Sequence, residues 1–102
     1  MSLDYNSLIK SNDIVMVLFG ASNCGPCKVL KYKLEDINKD NSRISYYYLD
    51  IVENQSLVAQ NNIYAAPSLI VYCEGKETIR ESGCFSLDLI MDKVDKYLAL
   101  LD

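Results

Sequence analysis

The sequence predicts a single α/β domain over residues 1–102, with a central, mixed four-stranded sheet and helices on both faces. Two observations support this. The chain has the length of one domain, and half of its residues are hydrophobic, enough for a core without stabilising disulfides. Its hydrophobic periodicity alternates between helix and strand in the order α-β-α-β-α-β-β-α, and a β-α-β unit followed by a hairpin gives a mixed sheet.

The first half of the chain contains a short helix, a strand and a long helix. A helix is predicted over about residues 3–10, with three residues facing the core: Leu3, Leu8 and Ile9. The continuous apolar run over residues 14–19 is typical of a strand covered on both faces. The next helix extends to about Lys39, and its buried positions follow helical spacing: Cys27, Leu30, Leu34 and Ile37.

A second strand and a short helix follow. Residues 44–49 have the composition of a strand and include three consecutive tyrosines, Tyr46, Tyr47 and Tyr48. Asn54 is expected to cap a helix over residues 55–60, because Asn is a favoured N-cap residue.

The chain ends with a hairpin and a helix. Residues 69–72 and 78–80 are predicted strands, joined by a turn at Glu74-Gly75-Lys76. Ser86 is expected to cap the last helix. The apolar positions of that helix have near-ideal helical spacing: Leu87, Ile90, Met91, Val94, Tyr97, Leu98 and Leu101.

Charge and hydropathy argue against several classes of function. The net charge is −4, whereas a nucleic-acid binder usually carries a basic stripe. No apolar run approaches the roughly 18 residues that a bilayer requires. The first residues lack the basic and apolar regions of a secretory signal. We therefore expect a cytoplasmic protein that binds neither nucleic acid nor membranes.

Two cysteines, Cys24 and Cys27, lie where the first strand meets the long helix. A Cys-x-x-Cys pair in this setting indicates a redox pair. Cys24 precedes the helix, so its sulfur can face the unpaired N–H groups of the first turn, which favour the attacking thiolate. Cys27 lies one turn further and is expected to resolve the mixed disulfide. Two thiols without His are a weak metal site, so neither a metal nor another cofactor is expected.

These features resemble the thioredoxin family over nearly the whole chain. The segment from Phe19 to Lys28, with its Cys-Gly-Pro-Cys motif, is similar to the active-site segment of that family. Pro67 stands where the family has a cis-proline. Gly75 matches the hairpin glycine, and Gly83 matches the glycine that closes the substrate groove. The resemblance implies a thioredoxin fold in which the usual N-terminal strand is missing.

The resemblance also implies a protein-disulfide reductase with a role in electron transport and cell redox homeostasis. Cys24 would be the nucleophile, Cys27 the resolving thiol of the redox disulfide, and Pro67 a cis-proline beside both. The substrate groove would comprise six residues: Asn23, Gly25, Pro26, Ala66, Gly83 and Cys84. The implied partners are disulfide-containing client proteins and an electron donor of the thioredoxin-reductase type.

Five positions depart from the family pattern. Leu18 stands where many thioredoxins bury an Asp that moves protons to and from the inner cysteine, and Tyr48 stands where a Lys often partners it. The resolving step then uses another proton acceptor, or the apolar core replaces the ion pair with little change in activity. Asn23 replaces a Trp and Gly20 another aromatic, so partner choice should differ. Tyr32 replaces a kinking Pro, which predicts a straighter helix.

The strand over residues 44–49 would be an edge of the sheet, because the family's first strand has no counterpart. Its tyrosines could pack under the helices or form a dimer contact. We prefer the first interpretation and expect a monomer rather than a homodimer.

The other two cysteines should not form a disulfide with each other. Cys73 is expected to pair near Thr78, which leaves Cys84 about 20 Å away and beyond disulfide reach. Cys73 would fill space at the end of a strand. Cys84 should lie on the groove rim near Pro67, as either an inert thiol or one open to modification.

Two other functions are compatible with this fold. One is a glutathione-linked, glutaredoxin-like reductase, although the Gly-Pro spacer and Ala66 before Pro67 disfavour it. The other is a binding module that keeps the fold without turnover, which the loss of the Asp–Lys couple and the Trp leaves open.

Overall fold

The computed structural model describes residues 4–102, and its elements follow the predicted order. They are α1 (Tyr5–Leu8), β1 (Ile14–Gly20), α2 (Gly25–Asp40), β2 (Ile44–Asp50), α3 (Gln55–Gln60), β3 (Ser68–Cys73), β4 (Lys76–Ser82) and α4 (Leu87–Leu100). Leu3, which was predicted to face the core, lies outside the described residues.

β1 is an inner strand of the sheet, and all seven of its residues are buried. It pairs in parallel with β2 and antiparallel with β3, and β3 pairs antiparallel with β4. The strand order within residues 4–102 is therefore β2-β1-β3-β4, which confirms the mixed four-stranded sheet. β2 lies at one edge, as the sequence predicts, and β4 lies at the other.

Alternate side chains of β1 pack into two separate hydrophobic cores, one on each face of the sheet. Ile14, Met16 and Leu18 face α2 and α4, where they pack with Leu34 and Val94 among others. On the other face, three residues pack with Tyr5 and Ile9 near α1: Val15, Val17 and Phe19. Helices thus cover both faces, and the fold class is confirmed.

The first helix is shorter than predicted and buries a different side chain. It spans only Tyr5–Leu8, and Tyr5 is buried whereas Leu8 is only half-buried. The Tyr5 hydroxyl lies 2.7 Å from that of Tyr72 in β3, so a buried hydrogen bond ties α1 to the sheet. Burial first, and then this hydrogen bond, raise the pKa of Tyr5.

Two predictions of local structure need correction. Asn54 is the N-cap residue of α3, as predicted, but its side chain makes no capping hydrogen bond; instead its Nδ2 donates to the Asp50 carbonyl at 2.9 Å. In the hairpin, Cys73 pairs with Lys76 and not near Thr78. The turn is tighter than expected because Glu74 and Gly75 both adopt positive φ, at 52° and 82°, which closes the hairpin with two residues.

Candidate active site

Cys24 and Cys27 are joined by a disulfide at the N-terminus of α2. Their α-carbons are 5.3 Å apart. Cys24 is the N-cap residue, and its Sγ accepts the backbone N–H of Cys27 at 3.2 Å. Pro26 lies in the first helical turn, where a missing N–H costs nothing. The Cys24 sulfur is therefore held against the helix end that favours a negative charge once the disulfide is reduced.

The two cysteines differ in accessibility. Cys27 is 0% exposed and is part of the core, whereas Cys24 is partly exposed at the surface. The residues beside them, Asn23, Gly25 and Pro26, are exposed. Another protein can therefore approach the disulfide only from the Cys24 side.

The register of the sheet brings Pro67 and Gly83 to the same end as the two cysteines. Phe19 pairs with Ser68, and Ser68 pairs with Ser82, so the residues next to these positions share one end of the sheet. The Ala66–Pro67 bond is cis, as the resemblance implies. The Gly83 N–H donates to the Pro67 carbonyl at 2.9 Å, which joins the two loops.

Gly83 has φ +73, a conformation that glycine adopts readily, and a Cβ there would meet no atom within 4 Å. Its surface is therefore open, and Pro67 beside it is buried while Ala66 is half-buried. The backbone at Gly83 is therefore exposed at the same end of the sheet as the two cysteines.

Cys84, the last predicted groove residue, lies at the surface. It is exposed and lines a cleft of about 410 Å³ with residues of α4, including Leu89 and Lys93. Cys73 is half-buried, and both cysteines are free thiols, as predicted.

A second cleft, of about 660 Å³, lies along residues 52–60 and contains none of the predicted site residues.

Leu18, at the position where the resemblance implies a buried Asp, is 0% exposed in the core shared with α2, and it pairs in register with Tyr48. The Tyr48 ring instead extends over Gly20, and Lys31 Nζ lies 5.0 Å from the ring centroid. Burial raises the pKa of Tyr48. Sequence reasoning noted both substitutions but missed that the Tyr48 ring occupies the space above Gly20.

Within residues 4–102, no group of three or more His, Cys, Asp or Glu side chains is placed to hold a metal ion. The same residues contain no helix long and apolar enough to cross a membrane.

Comparison with known proteins gives consistent results. The family model for thioredoxin matches residues 2–96. Mitochondrial thioredoxin-2 of Schizosaccharomyces pombe is 32% identical over 80 residues, which cover 78% of this chain but only 60% of that protein. Thioredoxin of Staphylococcus epidermidis is 31% identical over 96 residues, covering 93% of this chain and 91% of that one. The structure of a mutant thioredoxin from Halobacterium salinarum superposes with a TM-score of 0.83 at 24% identity, covering 95% of this chain and 85% of that one.

Proposed function

Because the chain belongs to the thioredoxin family and is a thiol–disulfide oxidoreductase, we propose that its Cys24–Cys27 dithiol reduces disulfides in client proteins. One observation carries the assignment of roles. Cys24 is accessible at a helix N-terminus, while Cys27 is fully buried directly behind it. Cys24 is then the nucleophile and Cys27 the resolving thiol.

The reaction proceeds in two exchanges. The Cys24 thiolate attacks one sulfur of the client disulfide, forms a mixed disulfide and releases the other client sulfur as a thiolate. The Cys27 thiol then loses its proton to water and attacks the Cys24 sulfur. This restores the Cys24–Cys27 disulfide and releases the second client thiolate, so two electrons pass from the dithiol to the client.

We propose that the client segment lies across the strip formed by Ala66, Pro67 and Gly83. The backbone before a cis-proline can pair with an extended segment, as in strand addition. The buried Pro67 and the open surface at Gly83 support this arrangement. Asn23, with no aromatic side chain, gives the rim a polar character and selects clients different from those of a thioredoxin with Trp there.

Reduced protein is regenerated by an electron donor of the thioredoxin-reductase type. We assign the activity to the cytoplasm, where thiols are kept reduced, and to a single domain over residues 1–102. Electron transport to client disulfides and cell redox homeostasis are the corresponding physiological roles.

An insulin-reduction assay with two alternative electron sources tests this function. We expect turnover with a thioredoxin reductase and little with glutathione alone. The matched control is Cys73→Ser, which replaces a cysteine outside the pair and should retain full activity. Turnover with glutathione only would indicate a glutaredoxin-like enzyme. If the Cys24–Cys27 pair can be oxidised but shows no turnover with either electron source, the reductase assignment is wrong.

A further inference from the structure

The two edges of the sheet differ in how they are protected from pairing with another chain. β4 carries alternating charges over Lys76–Ser82, and its register with β3 shifts between Val71 and Tyr72. Charges and bulges are common means of blocking an edge. β2 has neither, because its sequence is uncharged before Asp50 and its register with β1 is continuous. β2 is therefore the edge that is open to strand addition.

The register of β2 defines which of its backbone groups face outward. Ile14 N–H donates to the Arg43 carbonyl at one end, and Ile51 N–H donates to the Gly20 carbonyl at the other. Odd-numbered residues of β2 thus direct their N–H and C=O groups towards β1. The even-numbered residues direct theirs towards the open edge: Ile44, Tyr46, Tyr48 and Asp50.

Two of these outward groups are already satisfied within the chain. Ile44 N–H donates to the Asn41 carbonyl at 3.2 Å, and the Asp50 carbonyl accepts from Asn54 Nδ2 at 2.9 Å. Within residues 4–102, the remaining outward groups are without partners. They are the N–H groups of Tyr46, Tyr48 and Asp50 and the carbonyls of Ile44, Tyr46 and Tyr48.

In place of the monomer that the sequence leads us to expect, we propose that β2 pairs antiparallel with β2 of a second copy of this chain, about a two-fold axis at Tyr47. In this register Tyr46 N–H donates to the Tyr48 carbonyl of the second copy, Tyr48 N–H to the Tyr46 carbonyl, and Asp50 N–H to the Ile44 carbonyl. Every free group is used, and the two satisfied groups lie at the ends. A shift of two residues in either direction leaves free groups unpaired. The two four-stranded sheets become one.

The side chains on the α2 face are also complementary in this pairing. Tyr46 lies opposite Tyr48 of the second copy, and aromatic cross-strand pairs are favourable. Burial, and then the nearby Glu35 carboxylate, raise the pKa of Tyr46. Lys31 Nζ lies 5.0 Å from the centre of the Tyr48 ring. The pairing therefore brings Glu35 of each copy towards Lys31 of the other, so that opposite charges meet twice.

A further side chain fits this arrangement. Tyr32 is 64% exposed and adjoins Glu35 on the surface of α2, where the second copy's α2 would cover it. The tyrosines of β2 remain packed under helices, so the dimer depends on the backbone edge and not on releasing them.

The redox sites remain open in the dimer. Cys24 follows the end of β1, and antiparallel pairing places the two copies of this end on opposite sides of the axis. Dimerisation and turnover can therefore be measured separately, and either can fail without the other.

Light scattering coupled to size-exclusion chromatography tests the dimer, with concentrations up to about 1 mM to include weak association. The oxidised Cys84→Ser protein should show a mass that rises with concentration towards that of a dimer. At low salt, Lys31→Glu and Glu35→Lys should each weaken dimerisation about tenfold, and the double swap should restore it. Lys33→Glu makes the same charge change on an exposed position of α2 and should weaken it less.

Cysteine cross-linking tests the register, in a Cys73→Ser/Cys84→Ser background. Across the axis the Tyr47 α-carbons would be about 4.5 Å apart, within disulfide reach, so Tyr47→Cys should give a covalent dimer under oxidation. Ser45→Cys should not, because its two copies would lie about 13 Å apart. Equal cross-linking by both variants would reject the register.

Amide hydrogen exchange separates this dimer from other ways of covering the edge. We expect the N–H groups of Tyr46, Tyr48 and Asp50 to become protected as concentration rises. A mass that stays monomeric at all concentrations would overturn the proposal. Protection that does not depend on concentration would also overturn it, because it would show that the edge is covered within one chain.

Discussion

The Tyr48 ring lies over the α-carbon of Gly20. A Cβ at Gly20 would be only 2.8 Å from Tyr48 Cε2 and 2.9 Å from Cζ. Both positions depart from the pattern that the resemblance implies, and in the structure they contact each other. Because Gly20 has no side chain, the Tyr48 ring can occupy the space above it. This contact lies next to the loop that leads to Cys24.

Gly20→Ala should lower the free energy of unfolding by about 1–2 kcal/mol, because the added methyl group overpacks against the Tyr48 ring. In a strand without this contact, replacing Gly by Ala would be favourable. Tyr48→Leu should relieve the clash, so the double variant should be more stable than the sum of the two single effects predicts. Urea unfolding of the four proteins measures this coupling, and strictly additive effects would contradict it.

Cys24→Ser should abolish insulin reduction, since it removes the accessible thiol. Cys27→Ser should instead accumulate mixed disulfides with client proteins, because no buried thiol is left to release them. Mass spectrometry of the trapped adducts checks this. Equal trapping by both variants would contradict the assignment of Cys24 as the nucleophile and Cys27 as the resolving thiol.

Leu18→Asp should cost about 3–5 kcal/mol of stability, because it buries a carboxylate without a partner. Adding Tyr48→Lys should recover part of this loss by providing the missing charge. Leu18→Asn is the control, because Asn has nearly the same shape as Asp but carries no charge. If position 18 serves Cys27, titration of the reduced Cys27 thiol should shift in Leu18→Asp and not in Leu18→Asn. An unchanged titration would show that this position has no role in proton transfer here.

Cys84 should react with iodoacetamide faster than Cys73 in the oxidised protein, because the reagent reaches it freely and because a raised pKa leaves less of the reactive thiolate at Cys73. Cys84 is exposed, whereas burial, together with Glu74, raises the pKa of Cys73. Peptide mass spectrometry over a time course measures the two rates. If Cys84 lies on the groove rim, its alkylation should also slow insulin reduction.

Stability should fall as the pH rises above about 10, which is the pKa of an exposed tyrosine. Burial raises the pKa of Tyr5, Tyr72 and Tyr46, so the folded chain keeps protons that the unfolded chain loses. Each such tyrosine contributes a slope of at most about 1.4 kcal/mol per pH unit.

The double variant Tyr5→Phe/Tyr72→Phe tests this origin, because it removes both hydroxyls of the buried pair together. Its stability should depend less steeply on alkaline pH than that of the unmodified chain. Tyr64→Phe, at a side chain 88% exposed, is the control and should leave the slope unchanged. The same slope in the double variant would show that other groups cause the alkaline loss.

The sequence predicted the features that depend on strong local patterns. An unbroken apolar run placed β1 inside the sheet, and two cysteines at its junction with a helix located the redox pair. Pro67 was located by resemblance, since a lone proline carries little information about its own peptide bond. These features together fix the fold and the centre of the site.

The features that were missed depend on geometry that local patterns do not encode. The Tyr48 contact with Gly20 follows from the parallel register of β1 and β2, which brings distant residues together. The buried Tyr5 hydroxyl is hydrogen-bonded to the hydroxyl of Tyr72, a residue far along the chain. The hairpin register was misjudged because Glu74 adopts a positive φ that is uncommon outside glycine and asparagine.

The strand order β2-β1-β3-β4 also bears on how the site comes into being during folding. β1 and β2 are joined through α2, and β3 and β4 by a tight turn, so each pair closes a comparatively short loop. In the sheet of residues 4–102, the two halves meet in the ladder between β1 and β3, and its closure carries the larger entropic cost. Cys24 belongs to one half and Pro67 to the other. A chain that has not closed this ladder therefore possesses its thiols but has not yet brought Pro67 to the same end of the sheet as Cys24.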